Sequence, residues 1–358
     1  MKILGIETSC DETGIALVEA SGSFEKTHFR VLKNLVASQI KVHAPFGGVV
    51  PNLAKREHAK NLPILYKKLL GYPVAKFDVV AVTVGPGLEP CLWQGIEFAK
   101  ELAKKYKKPI VAVNHMFGHV VSVLLNAKRY LPADATRQAL QAGTLSPKIK
   151  FPALALLVSG GHTELVLIKN WLNYKIIGET LDDAVGEAFD KVARLLGLPY
   201  PGGPALSKLA QNVRHRMFDI ELPRPMLNSK DLNFSFSGLK TAVLYALRDN
   251  PKINKAILAK EFQNAAVEVL VSKTLKAVAK YKPKTLIVAG GVAANKHLQK
   301  ELTKTLNPKR YALKIFFPEK DFIGDNAAMI AAAAYFKASK EKFASAQELR
   351  AQGQLRLS

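Results

Sequence analysis

Two histidines four residues apart, in Asn114-His115-Met116-Phe117-Gly118-His119, are the first residues able to do chemistry. On a helix that spacing puts both rings on one face. Two imidazoles placed so can grip one divalent ion, and a carboxylate from elsewhere can complete the set. The same spacing also serves a pair of ordinary core histidines. Met116 stands where an HExxH zinc protease carries its general base, so protease chemistry of that kind is not expected. Asp325, in Gly324-Asp325-Asn326-Ala327-Ala328, is the candidate third ligand. It is equally placed to cap the Ala-rich helix expected over 326–335.

Phosphate chemistry has several candidate loops. No GxxxxGK[ST] occurs, and Gly85-Pro86-Gly87 is followed by Pro90 where a dinucleotide fingerprint needs its third glycine. Two small-residue turns stand instead, Thr8-Ser9-Cys10-Asp11 and Ser159-Gly160-Gly161-His162-Thr163. Such turns can aim backbone N–H groups at a phosphate, because glycine lets the main chain approach closely; each can also be a plain hairpin turn. Gly290-Gly291-Val292-Ala293-Ala294-Asn295 follows an expected strand and precedes an expected helix over 296–305. The free N–H groups of a helix start suit a phosphate, and Asn295 either meets that ligand or caps the helix. Asp183, Glu187 and Asp190 recur at helical spacing beside Asp182. They read as a solvated face, or as a source of one acid that accepts from ribose hydroxyls. Tyr200-Pro201-Gly202-Gly203-Pro204 reads as a rigid turn able to pass close to a ligand.

The elements that must position these residues follow one plan twice. An apolar strand at 3–8, a polar turn and a return at 14–20 open the first half; 153–159, 160–163 and 164–169 open the second. Each half later has a buried-type strand that runs into glycines, at 78–84 and 284–289. Helical periodicity fills 95–105, 183–196, 237–248 and 260–281. The pattern predicts an α/β protein of two duplicated halves, 1–126 and 151–325, with the helix at 326–340 returning to the first. Residues 127–150 read as a basic linker, with five basic side chains against Asp134. Residues 341–358 read as a frayed helix or a disordered tail.

Composition narrows the class. The 358 residues suit two domains at roughly 150 residues each. The 48% apolar and 23% charged residues exclude a wholly disordered chain. Apolar runs such as 154–158 fall far short of the roughly 20 residues of a membrane span. The start reaches Glu7 with no secretory apolar region, and two cysteines make no disulfide framework. The expectation is a cytoplasmic protein with no membrane association. Against 29 acidic residues stand 52 basic ones, a net charge of +23, and such a field attracts polyanions, nucleic acid above all.

These motifs together resemble the bacterial TsaD family, formerly called glycoproteases, the tRNA N6-adenosine threonylcarbamoyltransferases. The resemblance is carried in order by Gly5–Thr13, His115-x-x-x-His119, Leu157–Thr163, Gly186–Lys191, Tyr200–Pro204, Phe234–Lys240, Gly290–Asn295 and Gly324–Asn326. It implies an actin-like ATPase (ASKHA) fold of two RNase H-like lobes with a central cleft. It implies transfer of a threonylcarbamoyl group from threonylcarbamoyl-adenylate to N6 of the adenosine 3′ of the anticodon (position 37), in tRNAs reading codons that begin with A. It assigns the metal, Fe(2+) or Zn, to His115, His119 and Asp325. It assigns the nucleotide to Leu157, Val158, Ser159, Gly160, Gly161, Asp190, Gly203 and Asn295. Glu12 becomes a candidate acid/base or orienting group, and the TsaB and TsaE proteins become expected partners beside tRNA.

The chain departs from the family pattern at Phe117, where the metal motif has Glu, and at Asn52, where a Val-Pro-Glu segment is usual. It has Leu157 where some relatives add a tyrosine ligand, and a longer 127–150 connection. Two other readings remain: a small-molecule kinase of the same fold, which leaves the histidine pair and the charge unexplained, and a non-catalytic scaffold paralogue, which would lack the metal ligands.

Overall fold

Between its end residues Lys2–Glu7 is apolar on both faces, and such a run belongs in the middle of a sheet covered on both sides. In the computed structural model this strand, β1, is central. The structure describes residues 1–24, 26–71, 76–125, 147–213, 220–307 and 311–357; most of the expected 127–150 linker lies outside them. The chain divides into two units. Unit 1 holds Met1–His43, Val49–Ile149 and Pro318–Ser358; unit 2 holds Ala44–Gly48 and Lys150–Phe317.

In unit 1, β1 pairs antiparallel with β2 (Glu12–Ser23), which pairs with β3 (Lys26–Ser38). Two helices follow, α1 (Ile40–His43) and α2 (Pro51–Leu70). The chain re-enters as β4 (Val79–Gly85), parallel to β1, crosses through α3 (Glu89–Tyr106) and returns as β5 (Ile110–Asn114), parallel to β4. Helix α4 (His115–Ser122) starts directly from β5. The sheet order is β3-β2-β1-β4-β5.

Unit 2 repeats the scheme. Strands β6 (Ala153–Val158), β7 (Thr163–Asn170) and β8 (Asn173–Glu179) form the antiparallel meander. Helices α5 (Val185–Leu195), α6 (Gly202–Gln211), α7 (Ser237–Asp249) and α8 (Lys255–Tyr281) precede β9 (Thr285–Ala289), parallel to β6. Then come α9 (Lys296–Thr305) and β10 (Lys314–Phe316). The order β10-β9-β6-β7-β8 is the unit 1 order with each strand replaced by its counterpart. The duplication expected from the two hairpins is therefore present. The long helix α8 buries Leu258, Phe262, Ala265, Ala266, Val269 and Leu270 on one stripe, and Phe262 meets Phe189 edge-on at 5.0 Å.

The chain returns to unit 1 as α10 (Ala327–Ala338), packed on β1, β2 and α4. Its sequence, Ala-Ala-Met-Ile-Ala-Ala-Ala-Ala, keeps the helix surface thin. The sheet answers with glycines: a Cβ on Gly5 would stand 2.2 Å from the Ala327 carbonyl oxygen, and one on Gly14 2.9 Å from the Ala327 nitrogen. Small residues on both sides set the distance at which the helix rides over the strands.

Two expectations change. The 200–204 turn is shorter than expected, because α6 begins at Gly202 within it. The tail is neither frayed nor disordered over its described length. Ala344 N–H donates to Ile110 O at 2.8 Å, Gln352 N–H to Val84 O at 2.8 Å, and Gly87 N–H to Gly353 O at 3.0 Å. Leu349 and Leu357 are buried. The polar composition hid this because much of the anchoring is backbone, helped by a few scattered apolar side chains, Leu349, Leu357 and the partly buried Ala344, Ala351 and Leu355.

Gly5→Val is expected to lower the thermal unfolding midpoint, since overpacking a filled contact costs about 1–3 kcal/mol. A calorimetric scan checks it; an unchanged midpoint would show that α10 can move off the sheet freely.

Candidate metal centre and nucleotide loops

Helix α4 begins at its first histidine because Asn114, ending β5, caps it. The Asn114 Oδ1 accepts from Met116 N–H at 2.9 Å and Phe117 N–H at 3.2 Å. The i, i+4 spacing then brings the His115 and His119 rings edge to face, centroids 4.7 Å apart. Gly118 between them faces α10, where a Cβ would stand 2.9 Å from Ile330. Asp325 arrives just ahead of α10. Its Oδ1 lies 3.1 Å from His119 Nε2 and 3.5 Å from His115 Nε2. The cap of α10 is Asn326, whose Oδ1 accepts from Met329 N–H at 3.0 Å. Asp325 is thereby free of the capping role that its position also allowed.

One ligand atom from each of His115, His119 and Asp325 can be chosen so that all lie within 4.8 Å of one another. His119 is fully buried; its Nε2 faces the Asp325 carboxylate, yet neither ring nitrogen has hydrogen-bond geometry among the described residues. A buried ring nitrogen without a hydrogen bond costs free energy unless something binds it. The set of two imidazoles and one carboxylate suits a divalent ion of intermediate softness and leaves positions open to water or substrate.

Electrostatics reinforce the geometry. Burial alone would raise the Asp325 carboxyl, but the His115 and His119 rings outweigh it and hold that group far below the usual carboxylate range. Burial would lower His115, while Glu7 and Asp325 on either side of it raise it well above an ordinary histidine. Glu12, at the start of β2, is pushed up to about 9 by burial and by the nearby Asp325 and Asp11 carboxylates.

Beneath His115 lies a residue that sequence reading passed over. Glu7, the last of β1, is fully buried. Its Oε2 lies 3.0 Å from His115 Nδ1 and accepts from Thr83 Oγ1 at 2.7 Å; its Oε1 accepts from Ser9 N–H. Burial raises this carboxyl too, and the His115 ring and the Thr83 hydroxyl more than reverse that. The available signal was an acid ending the otherwise apolar run Ile3-Leu4-Gly5-Ile6.

The nucleotide candidates gather in unit 2. Leu157 and Val158 are strand residues with fully buried side chains. What β6 exposes is the turn after them. Ser159 N–H donates to His162 O at 2.9 Å, and Ser159 Oγ accepts from His162 N–H at 3.1 Å. Gly160 and Gly161 are exposed, and a Cβ on either would meet nothing within 4 Å. Beside this turn, at the end of the neighbouring strand β9, Gly290 takes a left-handed φ of 92° where a Cβ would strike Val158 O, and Gly291 is open. Open backbone at the carboxyl ends of adjacent parallel strands is where α/β sheets bind ligands.

A chain of hydrogen bonds holds the rest around that rim. Gly186 N–H donates to Ser159 O at 3.2 Å, tying α5 to the turn. Gly203 N–H donates to Asp190 Oδ1 at 3.0 Å, tying α6 to α5. Asn295 Nδ2 donates to Ser207 Oγ at 3.2 Å and Gln263 Oε1 at 3.0 Å, while its Oδ1 caps α9 through His297 and Leu298 N–H. The Asn295 side chain is thus engaged in structure. The acidic cluster is engaged as well: Asp182 accepts from Phe236 N–H and from the Ser235 and Ser237 hydroxyls, and Asp183 and Glu187 share Lys191 at 2.7 and 2.9 Å.

Among the described residues no helix is long and apolar enough to cross a membrane. A family model described as tRNA N6-adenosine threonylcarbamoyltransferase matches residues 30–143 and 135–332. A curated protein of that name from Thermosipho africanus is 44% identical over 340 residues, 94% of each chain. One from Moorella thermoacetica is 44% identical over 350 residues, covering 96% of this chain and 93% of its own. Among solved structures, HypF from T. kodakarensis aligns with a TM-score of 0.55 at 12% identity, over 97% of this chain and 49% of its own. Full-length HypF in a phosphate- and nucleotide-bound form gives 0.55 at 13%, over 96% and 47%. These two carry the fold alone, the actin-like α/β architecture of two duplicated halves.

Asn295→Ala is expected to destabilise unit 2 by about 1–2 kcal/mol through its lost cap. Asn295→Asp, which keeps the capping oxygen, should lose less. Urea unfolding compares them, and equal losses would show that the Ser207 and Gln263 contacts outweigh the cap.

Proposed function

The chain belongs to the tRNA N6-adenosine threonylcarbamoyltransferase family, and from that membership we propose that it moves a threonylcarbamoyl group from threonylcarbamoyl-adenylate to N6 of the adenosine 3′ of the anticodon. The observation that carries the metal part of this reading is His119, buried without a hydrogen bond among the described residues, beside His115 and Asp325. Those three residues would hold one divalent ion, in keeping with Fe(2+), or with Zn. Such an ion supplies Lewis-acid polarisation of a phosphate or carbonyl oxygen.

The chain's own groups do the remainder. The open backbone at Gly160, Gly161 and Gly291 takes the adenylate, with Asp190 and Gly203 setting the α5–α6 corner and Asn295 holding α9 in place. Exposed N–H groups there favour the negative charge that builds as AMP leaves. The new bond joins N6 to the carbamoyl carbon, the bond to the phosphate oxygen breaks as that oxygen keeps the electron pair, and N6 gives up one proton to water. Glu12 serves as an acid/base or orienting group. The net charge of +23 holds the tRNA backbone, so binding falls steeply with salt. Companion proteins of the TsaB and TsaE kinds complete the reaction in the cytoplasm.

Reconstitution with tRNA, the adenylate donor and those companions, read by mass spectrometry of tRNA nucleosides, tests this. His119→Ala is expected to lose bound metal and to cut modification by at least about 100-fold; equal modification by wild type and variant would remove the metal role. Gly161→Val adds bulk only to open space, so it should leave the unfolding midpoint unchanged while raising the KM for the donor. An unchanged KM would displace the donor from that rim.

A further inference from the structure

We propose that Glu7 is a positioning residue for the metal centre: by accepting the Nδ1 proton of His115 it keeps the Nε2 lone pair turned toward His119 and Asp325. This rests on the metal reading above. The argument begins with what surrounds the Glu7 carboxylate. An ionised carboxylate only accepts hydrogen bonds. Three groups converge on it: the Ser9 N–H, the Thr83 hydroxyl and His115 Nδ1. They stand on neighbouring pieces of one rigid sheet. Glu7 ends β1, Thr83 lies in β4 beside it, and His115 follows β5 beside that. For the contact at 3.0 Å to be attractive, Nδ1 must carry a proton. A ring that gives its Nε2 pair to an ion keeps only one proton, and Glu7 fixes that proton on Nδ1, which leaves Nε2 as the donor atom. The Ser9 hydroxyl, 3.2 Å from the same Nδ1, can turn its own proton away and accept as well.

A fully buried carboxylate is costly to place in a core. Its partners all serve to hold it against one ring. Carboxylates behind metal-binding imidazoles fix ring orientation and strengthen the ligand in this way, and removing one typically weakens metal binding about 10–100-fold.

The same hydrogen-bond inventory says what an isosteric amide would do. In Glu7→Gln one oxygen remains. The Ser9 backbone N–H can only donate, so it holds that oxygen. The amide NH2 then faces Thr83 and His115. Thr83 can rotate to accept. His115 must accept through Nδ1, which shifts its proton to Nε2 and blocks the metal position. Shape is kept and the tautomer is inverted.

The test uses full-length, metal-free protein. Zinc is titrated alone against a chromophoric chelator, and histidine-labelled protein is examined by 1H–15N correlation, with His115→Asn giving the assignment. Wild type should bind one zinc and show a proton on His115 Nδ1. Glu7→Gln should bind zinc about 10–100-fold more weakly and show that proton gone. Thr83→Val, which removes a Glu7 partner but leaves the His115 contact, should keep both properties within a few-fold. Equal zinc affinity in wild type and Glu7→Gln, or an Nδ1 proton retained in Glu7→Gln, overturns the proposal. So does an equal loss in Thr83→Val, which would mark Glu7 as merely structural. Failure of wild type to bind zinc would instead strike the metal reading, and the Nδ1 proton in metal-free protein still decides the role of Glu7.

Discussion

Three electron-pair donors meeting where water hardly reaches make a stable arrangement only when positive charge lies among them. His115, His119 and Asp325 meet in this way in unit 1. The rest of that unit can be read as the means of enforcing the meeting. Asn114 starts α4 at the first ring, and Gly118 lets α10 come close. Gly5 and Gly14 let α10 lie on β1 and β2, carrying Asp325 to the rings. A bulky residue at any of these glycines would act on the ligand set at a distance, through helix position.

Unit 2 follows a different logic. Its polar side chains are largely turned to holding elements together, as the engagement of Asp182, Asp190 and Asn295 shows. What remains open is main chain, at glycines with nothing facing them. Backbone N–H groups on a fixed frame suit an anionic ligand, because they are already aligned and lose little on binding. The two units share one topology and differ in what they expose: buried side-chain donors in one, bare backbone in the other. A duplicated fold has thus been specialised at its strand ends rather than in its sheets.

Much of this was legible in the residues. The paired hairpins, the glycine-ended strands and the helices at 237–249 and 296–305 follow from apolar periodicity and caps, which act over a few residues. Helix α2 was not among the helices expected; it carries Pro63 in its interior, while Pro51 opens it at the first turn, where a missing N–H costs nothing. Short strands such as Lys314–Phe316 leave too little pattern to detect. The tail was misjudged because its anchors are carbonyls and amides, which every residue carries.

By itself the sequence determined the kinds of atoms on offer and their local spacing: two imidazoles on one helical face, glycines at strand ends, a strongly basic surface. The backbone's own hydrogen bonding sets those relations within a turn or a pleat, so they survive in one dimension. Tertiary structure alone decided that Asp325 joins the histidines while Asn326 takes the cap, and that Glu7 sits behind His115. It also decided that the Asn295 side chain holds Ser207 and Gln263. Those choices depend on how closely a helix can lie on a sheet. That distance is set by packing between segments far apart in the chain, which no local pattern encodes.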